Sequence, residues 1–242
     1  VSSGSRGHLA GIGFALDRTA HWPSLTGRQN AYFLARSYGL APVRARERLQ
    51  NLLEQADLAA DADRPVEVYS YGMRRKLALI QALAHDPQLL ILDEPTSGLD
   101  AHFVPRLAAL VRERCERGKT TWVSSNDPEW ASAVSTRIVF MDEGRVVREG
   151  SPEELLRPVA DQVEVRLGLA SARAVLELDG EGVRSVAQDG AAMTVLLDSD
   201  PALVPRLLER LLAQGARVRS LEVRGGTLRD AFLAATGREL VQ

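Results

Sequence analysis

Apolar and polar positions along the chain alternate between two rhythms, and the elements follow from them. Ile12 to Leu16 is a short apolar run of strand length. His21-Trp22-Pro23-Ser24 is a loop, because Pro23 disfavours helix in the residue before it. From Thr26 the spacing becomes helical, with Ala31, Leu34 and Ala35 on one face and Gly39 as a stop. Pro42 to Ala56 repeats the pattern through Val43, Leu49, Leu52 and Leu53, and Asp61 to Val68 is a polar connector. Ser70 opens a helix to about Ala84, with Met73, Leu77, Ile80 and Ala84 in register, and Asp86-Pro87 ends it. Leu89 to Leu92 is apolar without alternation, as a parallel strand covered on both faces requires. A helix from His102 to Arg117 and strands at Thr120–Ser125, Arg137–Met141 and Arg145–Arg148 complete an α/β layered region.

The texture changes after Pro158. Ser151-Pro152 starts a short helix, and then Val163, Val165 and Leu167 alternate with polar residues as in a half-buried strand. A helix at Ala172–Leu176, strands at Val183–Ala187 and Met193–Leu197, an amphipathic helix through Leu203, Leu207, Leu208 and Leu211, and a strand at Val218–Val223 follow. That β-α-β-β-α-β order is the split βαβ, ferredoxin-like pattern. A last helix spans Thr227 to Ala235. The expected organisation is therefore two domains, residues 1–157, including a helical subdomain at about 22–85, and residues 158–242.

Composition narrows the function classes. In 242 residues, 30 Lys and Arg stand against 32 Asp and Glu, a balance with no bias toward nucleic acid. Cys115 is the only cysteine, which rules out an intrachain disulfide and a cysteine-built zinc cluster. No stretch reaches the roughly 18 apolar residues of a membrane span, and Val1 to His8 lacks the apolar core of an export signal.

Four short segments carry the candidate chemistry. Ser70-Tyr71-Gly72-Met73-Arg74 places a hydroxyl, backbone N–H groups and a positive dipole end at a helix start, a phosphate-binding arrangement, though by itself it is equally a simple serine cap. Asp93-Glu94 ends a buried strand with two adjacent carboxylates. Ligands of open α/β sheets bind at that end, where one carboxylate can hold Mg²⁺ and the other can polarise a water. Pro95-Thr96-Ser97-Gly98-Leu99-Asp100 is a turn with a glycine and an acid at fixed distance beyond. Val123-Ser124-Ser125-Asn126-Asp127 closes the next strand.

Taken together and in this order, Tyr69 to Asp100 resembles the signature, Walker B and D-loop block of the ABC ATPases. The resemblance extends from about Ile12 to Gly150. It implies an ABC-type α/β ATPase domain with a helical subdomain, followed by the ferredoxin-like α+β domain. It also implies that Ser70, Tyr71, Gly72 and Met73 contact ATP bound to the opposite subunit, with Ser97, Gly98 and Asp100 as D-loop. Asp93 is then the Mg²⁺ carboxylate and Glu94 the carboxylate that activates water. Ile12 to Gly27 resembles the Q-loop region, with Asp17 where the family has glutamine; its carboxylate is shorter and charged but can still ligate Mg²⁺. Asn126 stands where the family has the switch histidine; it can donate a hydrogen bond but cannot take up a proton near neutral pH. Thr227-Leu228-Arg229-Asp230-Ala231-Phe232-Leu233, with Thr236-Gly237, resembles the closing motif of the daunorubicin-resistance-like exporter ATPases.

One part of the family pattern is missing between Val1 and Gln242. The Walker A loop G-x-x-x-x-G-K-[ST] requires a strand before it and a helix after it. Gly118-Lys119-Thr120 has Glu113 in place of the first glycine, and a helix before it and a strand after it. The expectation is that the chain, beginning at Val rather than Met, is a fragment whose phosphate loop precedes Val1, and that the isolated polypeptide does not hydrolyse ATP. The competing expectation is a degenerate subunit that donates its signature to a competent partner. The resemblance implies ATP and Mg²⁺ as cofactors, a second nucleotide-binding subunit (homo- or heterodimer), a membrane-spanning permease, and a peripheral place on the cytoplasmic face of the plasma membrane. It implies export of drugs or other small hydrophobic compounds. A soluble, non-transport ABC ATPase is a further alternative, for which the usual second cassette or long coiled-coil insertion is not visible.

Overall fold

The structure, a computed structural model, describes residues 11–16, 20–170 and 182–238. It divides into two compact units, residues 1–134 and 135–242.

The first unit is built on a three-stranded parallel sheet of β1 (Ile12–Ala15), β2 (Leu89–Asp93) and β3 (Thr120–Ser124), with β2 in the middle. Leu89 lies opposite both Ile12 and Thr120, so the three strands run in step and end at one edge, at Ala15, Asp93 and Ser124. Parallel neighbours require crossovers. The β1–β2 crossover carries helices α1 (Gly27–Ser37), α2 (Pro42–Gln55) and α3 (Tyr71–Leu83), and the β2–β3 crossover carries α4 (Phe103–Glu116). A short helix, α5 (Pro128–Val134), follows β3.

Local chemistry fixes the helix starts. At α1, the Thr26 hydroxyl accepts from the Gln29 amide while the Gln29 side chain accepts from the Thr26 amide, a reciprocal capping box. Buried Asn30 donates to the carbonyls of Trp22, Leu25 and Thr26, which freezes the loop leading in. The inward face of α2 is Ala45, Leu49, Leu52 and Leu53. Val43, the other apolar residue of this helix singled out from the sequence, lies in the first turn and is exposed. Helix α3 packs so closely on β1 that a side chain at Gly13 would strike the Ala82 carbonyl. On the opposite side of the sheet, Phe14, Ile91 and Trp122 lie in register, with Phe14 and Trp122 exposed.

The second unit begins with the antiparallel hairpin β4 (Ile138–Asp142) and β5 (Arg145–Gly150), turned at Glu143-Gly144 with both residues left-handed. Helix α6 (Pro152–Leu156) starts in a Ser151–Glu154 capping box. A four-stranded antiparallel sheet follows: β6 (Gln162–Leu169), β7 (Val183–Asp189), β8 (Ala192–Asp198) and β9 (Val218–Gly225), in spatial order β7-β8-β6-β9. Helix α7 (Leu203–Ala213) lays Leu203, Leu207 and Leu211 on Val165, Leu167, Met193, Val195 and Leu197. The helix expected at 172–176 lies outside the described residues. Helix α8 (Leu228–Thr236) packs Leu228 and Phe232 with Phe140, Leu155 and Val159 in a separate core. No helix among the described residues is long and apolar enough to cross a membrane.

Candidate functional site

Two corners of the first unit collect the expected residues. One is the carboxyl edge of β2 and β3. Asp93 is the last residue of β2, faces Ser124 in register and accepts a hydrogen bond from the Ser124 hydroxyl. Glu94 follows with a left-handed backbone, φ 44°. A side-chain-bearing residue rarely adopts that conformation, and it persists only where its surroundings over-determine it. Here they do. The Glu94 amide donates to the Ser124 carbonyl at 2.9 Å, and the Glu94 carbonyl accepts from the Ser97 amide and from Arg75. The result turns the Glu94 carboxylate toward β3, where its Oε2 accepts from the Asn126 amide at 3.1 Å. Asn126 thus meets Glu94 through its backbone, with its side chain exposed.

The other corner is the start of α3 against the Ser97–Asp100 turn. Ser70 caps α3, its hydroxyl accepting from the Met73 amide at 3.2 Å. The N-terminal turn that follows directs its amides outward at the positive end of the helix dipole. Gly72 passes so near the turn that a Cβ there would lie 2.9 Å from the Gly98 carbonyl oxygen. Gly98 is left-handed at φ 68°, and the Tyr71 ring occupies the space a Cβ on Gly98 would take. Asp100 accepts from the Phe103 amide at 2.9 Å and pairs with Lys76 at 2.7 Å. The Lys76 ammonium holds the Asp100 carboxyl below its ordinary range and rests over the Phe103 ring. Ser97 is exposed beside it.

Arg75 joins the corners. From the buried face of α3 it donates to the carbonyls of Leu16 at 2.8 Å, Asp93 at 3.0 Å and Glu94 at 2.6 Å. Neither Arg75 nor Lys76 was expected at the site from sequence. Their signal is that they are the last two of three consecutive cations, Arg74-Arg75-Lys76, in a helix whose following residues are mostly apolar, in a protein whose only other lysine is Lys119. His21 is a third such residue: its Nε2–H donates to the Arg74 carbonyl at 3.1 Å, and burial keeps its pKa below the ordinary value. Asp17 lies outside the described residues.

The donor set at the strand edge fits a hard divalent cation: two carboxylates and a hydroxyl, all oxygen. Among the described residues no His, Cys, Asp and Glu cluster forms a closed metal cage. An open oxygen site of this kind suits a cation that brings its own waters and phosphate ligands.

Gly118-Lys119-Thr120 runs from α4 into β3, with Gly118 left-handed. The Lys119 ammonium pairs with the Asp86 carboxylate and donates to the Asp86 carbonyl, alongside Arg48 and Arg114. Burial pushes the Asp86 carboxyl up, but these three cations outweigh it and hold it low. The segment is a structural junction.

Comparison with known proteins places this geometry. The family model described as ABC transporter matches residues 5–97. Nod factor export ATP-binding protein I of Burkholderia pseudomallei (strain 1710b) is 33% identical over 229 residues, covering 90% of this chain and 70% of that protein. The chain belongs to the ABC transporter ATP-binding family. A second relative in the family is the daunorubicin/doxorubicin resistance ATP-binding protein DrrA of Streptomyces peucetius, 34% identical over 224 residues, which are 88% of this chain and 66% of DrrA. The chain thus spans about two thirds of the length of these curated relatives. Among solved structures, a dimeric, post-hydrolysis ATP-binding cassette, MJ0796 with ADP and Pi, is similar at TM-score 0.53 and 27% identity, covering 58% of this chain and 62% of that one. The ATP-binding subunit of an ABC transporter is similar at TM-score 0.58 and 24% identity, covering 62% of each chain. The α/β fold expected from sequence is therefore the ABC ATPase fold.

Proposed function

We propose that this chain is the ATP-binding and ATP-hydrolysing subunit of an ABC exporter of drugs or other small hydrophobic compounds. It works as a dimer with a second nucleotide-binding subunit and couples to a membrane-spanning permease from the cytoplasmic face of the plasma membrane. The observation that carries this reading is the Glu94 carboxylate, held at the sheet edge by an over-determined left-handed backbone beside Asp93.

In this reading Asp93, with Asp17, holds Mg²⁺ through oxygen, and Glu94 accepts the proton of the attacking water. Bound Mg²⁺ supplies neutralisation of phosphate charge. Glu94 is oriented by the Asn126 amide and by Arg75, so its carboxylate is aimed before nucleotide arrives. Asn126 is exposed just beyond β3 and would offer a γ-phosphate a neutral hydrogen bond. Ser70, Tyr71, Gly72 and Met73 present the α3 N-terminus to nucleotide held by the opposite subunit. Ser97 and Asp100 face the same junction. The Gly72–Gly98 approach ties these two segments together, so a shift in one is transmitted to the other.

The domain assignment belongs to the same proposal: residues 1–157 form the nucleotide-binding region, its helical part at about 22–85 meeting the permease. Residues 158–242 form a ferredoxin-like accessory domain that modulates assembly or the dimer. The sheet order β7-β8-β6-β9 supports the ferredoxin-like reading. Exposed Trp22 and Phe33, edge to face at 4.7 Å, support the permease contact.

The test is co-expression of the protein with candidate multi-span permeases from the same organism. The expected result is a stable complex that hydrolyses ATP and loses both association and turnover when Trp22 and Phe33 are made Asp. A complex without ATP turnover contradicts the proposal.

A further inference from the structure

Helices α2, α3 and α4 do not close on one another completely. They border an open groove of about 570 Å³ in the first unit. Volumes of roughly 300–1,000 Å³ are those of small-molecule sites. The walls are apolar, chiefly Leu52, Leu79, Ile80, Leu83 and Leu107, all buried.

The polar lining is uneven in charge. Three carboxylates, Glu54, Asp57 and Glu113, stand against two cations, Lys76 and Arg106, and Glu113 is paired with Arg117 just outside the lining. Both cations are committed: Arg106 pairs with Asp57 across the opening, and Lys76 pairs with Asp100. Glu54 has no cation within ion-pair distance among the described residues; its carboxylate accepts only from the Gln50 amide group at 2.6 Å. Glu54 also sits in the last turn of α2, at the negative end of the helix dipole, and that turn carries no basic residue. The field at the opening is negative from two sources, a carboxylate with no ion-pair partner among the described residues and a helix C-terminus with no basic residue in its last turn.

We propose that this groove binds a small apolar organic cation, its hydrocarbon body lying between α2, α3 and α4 and its charge toward Glu54. Lys76 lines the groove and holds Asp100, so an occupant bears on the D-loop turn. That consequence rests on the nucleotide reading above; the binding itself does not.

Tetraphenylphosphonium and tetraphenylborate have the same shape and opposite charge, and calorimetric titration of each into the full chain tests the proposal. The expected result is one saturable site for the cation, with the anion about tenfold weaker. Glu54→Gln should remove most of that difference, and Ala109→Trp, which fills the exposed rim of the groove, should abolish binding while leaving circular dichroism unchanged. Equal affinity for the two ions, undiminished binding by Ala109→Trp, or no cation binding would each overturn it. The exposed Phe14 and Trp122 face could hold either ion, and the Ala109→Trp arm separates that case, since it leaves the sheet untouched.

Discussion

Arg75 donates through one nitrogen to the carbonyls of both Asp93 and Glu94, so the two carboxylate residues are anchored by their backbones to the helix that begins at Ser70. A guanidinium suits this task because its donors diverge in one plane, and a third carbonyl, that of Leu16, accepts from its other end. Arg75→Met keeps the stem but leaves buried carbonyls without these donors. The expected loss is about 3 kcal/mol of stability, read as a lower urea midpoint. Arg75→Lys should recover only part, since one ammonium cannot reach three divergent acceptors. A methionine variant as stable as the parent would remove Arg75 from the account.

The packing of Tyr71 on Gly98 makes a second, separable claim. Gly98→Ala faces two penalties, a left-handed backbone and a collision with the Tyr71 ring. Together they should cost about 2 kcal/mol in a chemical denaturation curve, of which about 1 kcal/mol is backbone. The Gly98→Ala, Tyr71→Ala double variant should be less destabilised by the glycine change than the single variant, because only the backbone part is left. Strict additivity in that cycle would show that the ring and the turn do not touch.

How much of this was legible beforehand depends on what each residue signals by itself. The strand ending in Asp93-Glu94 and the cap at Ser70 were readable because apolar runs and caps are local patterns. Arg75 and Lys76 were not, since a cation in a helix normally marks its solvated face, and only the packed fold shows both turned inward. Helix α5 was also missed. It has seven residues and is held by Asp127, whose carboxylate accepts from the Trp130 amide, and by burial of Trp130 and Val134, too brief a span for a helical period to show. Asn126 was singled out for its side chain, whereas the hydrogen bond to Glu94 comes from its backbone, which no side-chain pattern encodes.

In the second unit, the closing motif is tied down by charge. Arg224 on β9 pairs with Glu164 on β6 and with Asp230, the acid that completes the capping box of α8 with Thr227. Hydrogen bonding to Arg224 holds the Glu164 carboxyl below its ordinary range. Burial pushes Asp230 up, but the Thr227 hydroxyl and amide, with Arg224, outweigh it and hold it low as well. A carboxyl lowered in the folded state contributes stability that is fully present above its unfolded pKa and is lost as pH falls through its folded one. Stability of this unit should therefore be level above about pH 5 and decline below about pH 4. Glu164→Gln and Asp230→Asn should each lower the plateau and flatten the decline, as thermal melts across pH would record. An unchanged acid slope in both variants would show that the network does not support the fold.

The central claim is that Glu94 activates water beside an Asp93-held Mg²⁺, and its most direct test is ATP turnover by Glu94→Gln in the natural full-length protein with its partners. The amide keeps the shape of the side chain and the acceptor for the Asn126 amide but cannot take a proton. The account predicts ATP binding close to that of the parent and turnover lower by about a hundredfold or more. Turnover equal to the parent's, with binding intact, would contradict it.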